Sequence, residues 1–401
     1  MLMVFFNFSA DAQKLNVVLA SNADGWDKMT NGELEKELAH NERINLSGFV
    51  PRHTEKHKEL ATELNIKLFD AKFISGYSET ELLAHPPDDL KIDVLMMHCY
   101  GFNVGRQAQV IKDNENCIWA IVVHTICEEL EKYLKKTQSS EQSEQQPSAE
   151  HELQVTLCQK ADLVIALGPK VAEAYKAALS YCGKEGNVFT LTPGISEKYL
   201  SINWQDENAV SGNFRVLVSG STKYFHVKGC DIAARAISLL QDASYHLILV
   251  AQPKDDDNEL NEAMGKEEIS LNQLTIRHCS AGDTETWFKY LHEVDILIKP
   301  SRTEGFGMSG LRAISANVPV LISGNTGLGM TLKTLKYGPD FVVDSEDPQA
   351  WADKIRAFRD MEPKALRSKV GKLKKEYMMK YKWKEQCEKL VDRFFDMVHG
   401  Q

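Results

Sequence analysis

Apolar runs recur along the chain, separated by segments in which apolar positions fall every third or fourth residue. In the first half the runs are LNVVLAS (15–21), INLSGFV (44–50), IDVLMMH (92–98), CIWAIVVHT (117–125), ADLVIALG (161–168) and NVFTLTPG (187–194). The second half repeats the scheme with FRVLVSG (214–220), YHLILVA (245–251), LTIRHCS (274–280), VDILIKPS (294–301) and VPVLISG (318–324). These runs are nearly continuous rather than alternating, which predicts parallel strands covered on both faces. Between them, DIAARAISLL (231–240) puts Ile232, Ala236 and Leu240 on one helical face. WKEQCEKLVDRFFDMV (383–398) reads as a closing amphipathic helix. The alternation predicts the α/β class, with two open sheets that are each Rossmann-like.

Polar stretches divide the pattern. SINWQDENAVSGN (201–213) separates the halves, giving a first domain over 1–205, a second over 206–375 and a terminal helical segment over 376–401. KKTQSSEQSEQQPSAE (135–150) is low in complexity and has no apolar period, so it reads as a flexible surface loop.

A length of 401 residues exceeds one ordinary core and suits two domains. Forty-seven basic against 57 acidic side chains give a net charge of −10, and no long basic stripe stands out, which argues against nucleic acid as a partner. The eight cysteines show no CxxC pairing and read as reduced thiols of a cytoplasmic protein. MLMVFFNF at the start lacks a basic flank and is interrupted by Asn7 and Asp11, so neither a signal peptide nor a membrane span is expected.

Open α/β sheets bind ligands at the carboxyl ends of their strands, and three such ends in the second half share one chemistry. In SGSTKYFHVKGCD (219–231), Gly220 and Ser221 leave a strand and a helix begins near Asp231. The free N–H groups of that helix, with Lys228 beside them, suit a diphosphate. In E-G-F-G (304–307), the small residues let the amides of Phe306, Gly307 and Met308 approach phosphate or sugar oxygens. GNTGLG (324–329), with Gly327 at its centre, is a third glycine-rich loop before a helix. Each alone is most simply a turn; three in register in one domain are not. His98 and His124 end strands of the first half, where a hydrogen-bonded histidine at the core edge and a site residue are equally good readings. Trp119 reads as core rather than as a platform for a sugar, and the aspartates 255–257 fall in a polar loop and read as a solvated turn. No G-x-G-x-x-G follows an early strand and no G-x-x-x-x-G-K-[ST] occurs, which excludes a dinucleotide oxidoreductase and a P-loop phosphotransferase.

The order V-K-G-x-D, V-D-x-x-x-x-P-S-R-x-E-G-F-G, A-x-S-A-x-x-P-V-L resembles the donor domain of family 4 glycosyltransferases of the GT-B fold. IDVLMMH, IVVHT, ADLVIALGPKVAEAY and LTPGI resemble that family's acceptor domain, so the likeness runs over about 14–360. Within the family the chain is similar to glycosyltransferase-like domains of large invertebrate multidomain proteins. The resemblance implies transfer of a sugar from a nucleoside-diphosphate sugar, with retention of configuration, to an unidentified acceptor, with no metal and no cofactor. It implies that Glu304 contacts sugar hydroxyls, that Gly305 and the amides after it hold the distal phosphate, and that Lys228 neutralises the leaving diphosphate. His124 would face the donor, Cys279 and Ser280 would lie beside the base, Gly25 and His98 would belong to the acceptor side, and the terminal helix would cross back to the first domain.

Four positions depart from that pattern. Ser221 stands where an arginine is usual, Arg312 where a second glutamate would accept the ribose hydroxyls, and Met330 where a glutamate often follows the last glycine loop. The glycine pair expected after the first strand is reduced to Gly25 and Gly32, which are not adjacent. Two readings therefore stand together: an active glycosyltransferase, and a catalytically impaired binding or regulatory module on the same fold.

Overall fold

A computed structural model of the chain describes residues 14–22, 25–26, 32–99, 103–137, 149–195, 212–280 and 282–400. The stretches 1–8 and 201–211 discussed above, and 138–148 of the low-complexity segment, lie outside the described residues. The two ends of that segment are helical, within Cys127–Thr137 and Ala149–Lys160, rather than loop.

Two all-parallel sheets carry the fold. The first contains β1 (Leu15–Ala20), β2 (Ile44–Val50), β3 (Lys67–Asp70), β4 (Val94–His98), β5 (Ile118–Val123), β6 (Leu163–Leu167) and β7 (Val188–Leu191), in the order β3-β2-β1-β4-β5-β6-β7. The second contains β8 (Phe214–Ser219), β9 (Tyr245–Ala251), β10 (Leu274–His278), β11 (Ile296–Lys299), β12 (Val320–Ser323) and β13 (Val342–Val343), in the order β10-β9-β8-β11-β12-β13. The strand order reverses beside β1 in one sheet and beside β8 in the other, and those switch points are where open α/β sheets leave room for a ligand.

The near-continuous apolar runs have their predicted cause. Along β1, Val17 and Leu19 enter one core cluster while Val18 and Ala20 enter another, so both faces are covered. Trp119 is fully buried in the second of these clusters, as its reading as core requires. The terminal helix Trp383–His399 buries Trp383, Cys387, Leu390, Val391 and Phe394 in the first sheet's core. Its approach is fixed by Tyr377, whose buried hydroxyl donates to the Pro193 carbonyl at 2.7 Å, and by Gln386, which exchanges hydrogen bonds with the main chain of Thr192.

The helix Pro363–Lys380 carries seven lysines and arginines against the single Glu376, distributed around the helix outside its buried face of Leu366, Val370, Leu373 and Tyr377.

Candidate active site

Two of the three glycine loops are bonded to each other. Glu304 and Thr326 form a parallel β-bridge, Gly327 donates its N–H to the Gly305 carbonyl at 3.1 Å, and Leu328 donates to the Phe306 carbonyl at 2.7 Å. Gly327, expected among the donor-binding residues, gives its amide to the E-G-F-G loop, and the helix Gly327–Lys333 begins inside its motif rather than after it. Gly307, at φ +112, caps the helix Met308–Ser315 in a conformation that strains any residue with a Cβ. The amides of Met308 and Ser309, at the start of that helix, have no intrahelical carbonyl to bond, whereas that of Gly310 donates to the Gly307 carbonyl at 3.0 Å. Met308 is partly exposed, whereas Phe306 is buried against Gly168 of the first domain.

The charges of V-K-G-x-D and P-S-R form a clamp. Asp231 accepts both ends of the Arg302 guanidinium at 2.8 Å, a forked pair that ties the 219–231 loop to the loop carrying Glu304. Arg302 also donates to the His226 carbonyl, and its amide donates to the Val227 carbonyl. Between them, Gly229 at φ +69 lies so close to the Pro300 carbonyl that a Cβ would sit 2.1 Å from its oxygen.

That clamp delivers Lys228 to Glu304: Lys228 Nζ donates to Oε1 at 3.0 Å. The other carboxylate oxygen meets a residue not singled out above, Lys299 at the end of β11, at 2.6 Å. Ser301 donates to the same oxygen at 3.3 Å, and Lys299 also donates to Ser309 Oγ at 3.0 Å. Burial pushes the Glu304 carboxyl up, but Lys228 and Lys299 together outweigh it and bring its pKa down to about 2. Glu304 is thus a carboxylate throughout the physiological range, unsuited to protonating a leaving group and suited to accepting hydroxyl hydrogen bonds.

Other expected site residues take varied places. The amide of Gly220 extends the sheet by donating to Val250, and Ser221 is buried with its carbonyl accepting from Tyr224. Cys279 donates its N–H to Ala251, and the Ser280 carbonyl accepts from Asp283, so these main-chain groups already serve the turn after β10. Burial and then the Asp283 charge raise the Cys279 thiol, and the Arg312 charge lowers it in part. The Gly25 amide donates to Asn22 Oδ1 at 2.8 Å within its own loop. The aspartates 255–257 are more than a solvated turn. Asp255 accepts from Thr222 and Gln252, Asp256 caps the helix Asp257–Gly265, and Asp257 meets His278 at 2.7 Å.

The first domain supplies the facing wall. His98 Nδ1 and His124 Nε2 share a hydrogen at 2.9 Å, and His98 Nε2 lies 2.8 Å from Glu35 Oε1, a carboxylate buried in the helix Glu33–Ala39. Burial, and then the neighbouring His98, hold His124 well below the usual imidazole pKa, so it is neutral at pH 7. Its carbonyl packs against Gly305, where a Cβ would meet the oxygen at 1.9 Å. Beside this contact, Lys170 Nζ donates to Glu129 at 2.6 Å, to Thr303 Oγ1 at 2.8 Å and to the Asn325 carbonyl at 2.9 Å, joining the first domain to both glycine loops. Lys170→Met should weaken this seam by about 2 kcal/mol and increase the radius of gyration measured by small-angle X-ray scattering. An unchanged scattering profile and melting point would show that the latch does not hold the cleft.

Sequence reasoning missed Lys299, Glu35 and Lys170. Only Lys299 left a signal, as the lone charge in the apolar stretch ILIKPS after Asp295.

Comparisons with known proteins agree with this architecture. Residues 22–390 match the family described as Family 4 Glycosyltransferase in conflict systems. The D-inositol 3-phosphate glycosyltransferase of Corynebacterium urealyticum is 22% identical over 315 residues, 75% of this chain and 70% of that protein. Among solved structures, sucrose-phosphate synthase from Thermosynechococcus elongatus superimposes with a TM-score of 0.71 at 16% identity, covering 97% of this chain and 100% of that one. HepE of Anabaena, solved in complex with UDP and glucose, gives a TM-score of 0.64 at 15% identity over 95% of this chain and 99% of its own. The two-sheet arrangement is that of the GT-B fold.

Proposed function

The chain belongs to the family 4 glycosyltransferases of conflict systems, and from that premise we propose that it transfers a sugar from a nucleoside-diphosphate sugar to an acceptor bound in the cleft between its two sheets. The observation that carries this reading is the meeting of Lys228 and Glu304 where the 219–231 loop and the E-G-F-G loop are clamped together. Lys228 is partly exposed and would hold the diphosphate, stabilising the charge that develops as the glycosidic bond to phosphate breaks. Glu304, ionised and held from beneath, would accept hydrogen bonds from sugar hydroxyls, and neutral His124 would bound the sugar from the first domain.

Retention of configuration and independence from metal are part of the proposal. The second is supported by Lys228 at the proposed diphosphate position and by the engagement of Asp255, Asp256 and Asp257 in the fold. UDP is a fitting first nucleotide because HepE was solved with it. A setting inside a larger multidomain protein is carried over from the sequence resemblance.

The test is a thermal-shift panel of UDP, GDP and ADP with their common sugar conjugates. A nucleotide at a hundred times its dissociation constant should add about 2.7 kcal/mol of stability. The expected result is a shift for one nucleotide that Lys228→Ala removes. Folded protein that responds to none of them would overturn the donor site, and binding without turnover would favour the impaired module, whose motivation is Arg312 in place of a carboxylate beside the ribose.

A further inference from the structure

Glu304 has one negative charge and two lysines. The lysines are not equivalent: the Lys299 contact is the shorter, 2.6 against 3.0 Å, and the Lys299 side chain is 4% exposed where that of Lys228 is 29% exposed. Lys299 rises from β11 beneath the E-G-F-G loop, its methylene chain lying against Gly307 and its ammonium bridging Glu304 to Ser309 on the following helix. Lys228 approaches from the opposite loop, and its side chain stays partly exposed.

Resting on the donor-site reading above, we propose that Lys299 is the resident counter-ion of Glu304, so that Lys228 is left available to the donor diphosphate. With an apolar residue at 299, Lys228 and Glu304 would neutralise each other, and an arriving diphosphate would have to break that pair. With Lys299 present the cluster holds one positive charge in excess, and it is the more exposed cation that carries it. A surplus charge in a buried cluster is unfavourable in the empty protein. Burial drives the Lys299 pKa below the ordinary lysine value, the Glu304 carboxylate opposes this, and Lys228 adds to it. A bound diphosphate relieves that repulsion, so the cluster favours the occupied state. Lys299 is on this account a positioning residue: it acts on the donor through Glu304 and Lys228.

The test is isothermal titration of whichever of UDP, GDP or ADP binds the wild-type chain into Lys299→Met, Lys299→Gln and the double variant Lys299→Met/Glu304→Gln. Removing the counter-ion should weaken the nucleoside diphosphate about tenfold or more, because Lys228 then falls back on Glu304. Neutralising Glu304 as well should return the affinity to within about threefold of wild type, since Lys228 is free again. A purely structural lysine gives no such rescue. Wild-type affinity in Lys299→Met, or a double variant as weak as the single one, would overturn the proposal. Failure of both single variants to fold would assign Lys299 to the fold and overturn it too. A folded wild-type chain that binds none of the three nucleotides would instead remove the donor-site reading, which keeps the two failures apart.

Discussion

Glu304→Ala should destabilise the chain by about 3–5 kcal/mol, more than any other single change at the site. Two lysines would lose their shared carboxylate, and one of them, Lys299, is buried where water cannot replace it. The same linkage predicts a pH dependence of definite sign. The Glu304 carboxyl falls from its ordinary 4.5 to about 2 in the folded chain, so its contribution is fully present above about pH 4.5 and is lost as pH falls toward 2. That shift corresponds to about 3 kcal/mol. Urea midpoints for wild type and Glu304→Ala should therefore differ widely at pH 7 and converge as the carboxyl is protonated. Lys299→Met/Glu304→Ala should recover most of the loss, because Lys299, the deeply buried cation of the cluster, is gone. A Glu304→Ala variant within about 1 kcal/mol of wild type at pH 7 would show that the lysines find other partners.

How much of this was legible in the sequence depended on the range of the interaction. Interior strands announced themselves: Val94–His98 and Tyr245–Ala251 lie within the runs IDVLMMH and YHLILVA, because a strand buried on both faces has to be largely apolar. The edge strands β3 and β13 did not. KLFD is half-exposed and Val342–Val343 is only two residues long, so neither needs an apolar run. At the site, the positions of Glu304 and Lys228 at strand ends were readable from local motifs. Their surroundings were not, since Lys228 meets Glu304 across 76 residues and Lys170 meets Thr303 across 133. Nor could spacing show that the Gly327 amide, which looks free in the motif, is consumed by the Gly305 carbonyl. Asp231 and Arg302 illustrate the converse: residues that stand out in a motif beside the chemistry, and whose work is to fasten two loops together.

Gly305→Ala should cost about a hundredfold in sugar transfer and weaken the nucleoside diphosphate by less, about tenfold. The new Cβ would lie 1.9 Å from the His124 carbonyl oxygen, 3.0 Å from its carbon and 3.3 Å from Val171 Cγ2. All three atoms belong to the first domain, and two are backbone, so no side-chain rotation can make room. Relief requires the E-G-F-G loop to withdraw from the first domain. Its links to Gly327 and Leu328 resist that motion and share the strain, at a cost of about 1–3 kcal/mol in stability. A displacement of about 1 Å carries Glu304 and the amides after it away from the sugar, and misplacement on that scale is enough for a hundredfold loss. On the proposed reading Lys228 would still hold the diphosphate from the other loop, so the nucleotide would lose the distal-phosphate amides of the displaced loop and keep its lysine. The distinguishing readout is the affinity gained on going from the nucleoside diphosphate to its sugar conjugate, together with turnover: both should fall in Gly305→Ala. Wild-type turnover in this variant would mean that the contact between Gly305 and His124 has no part in placing the sugar.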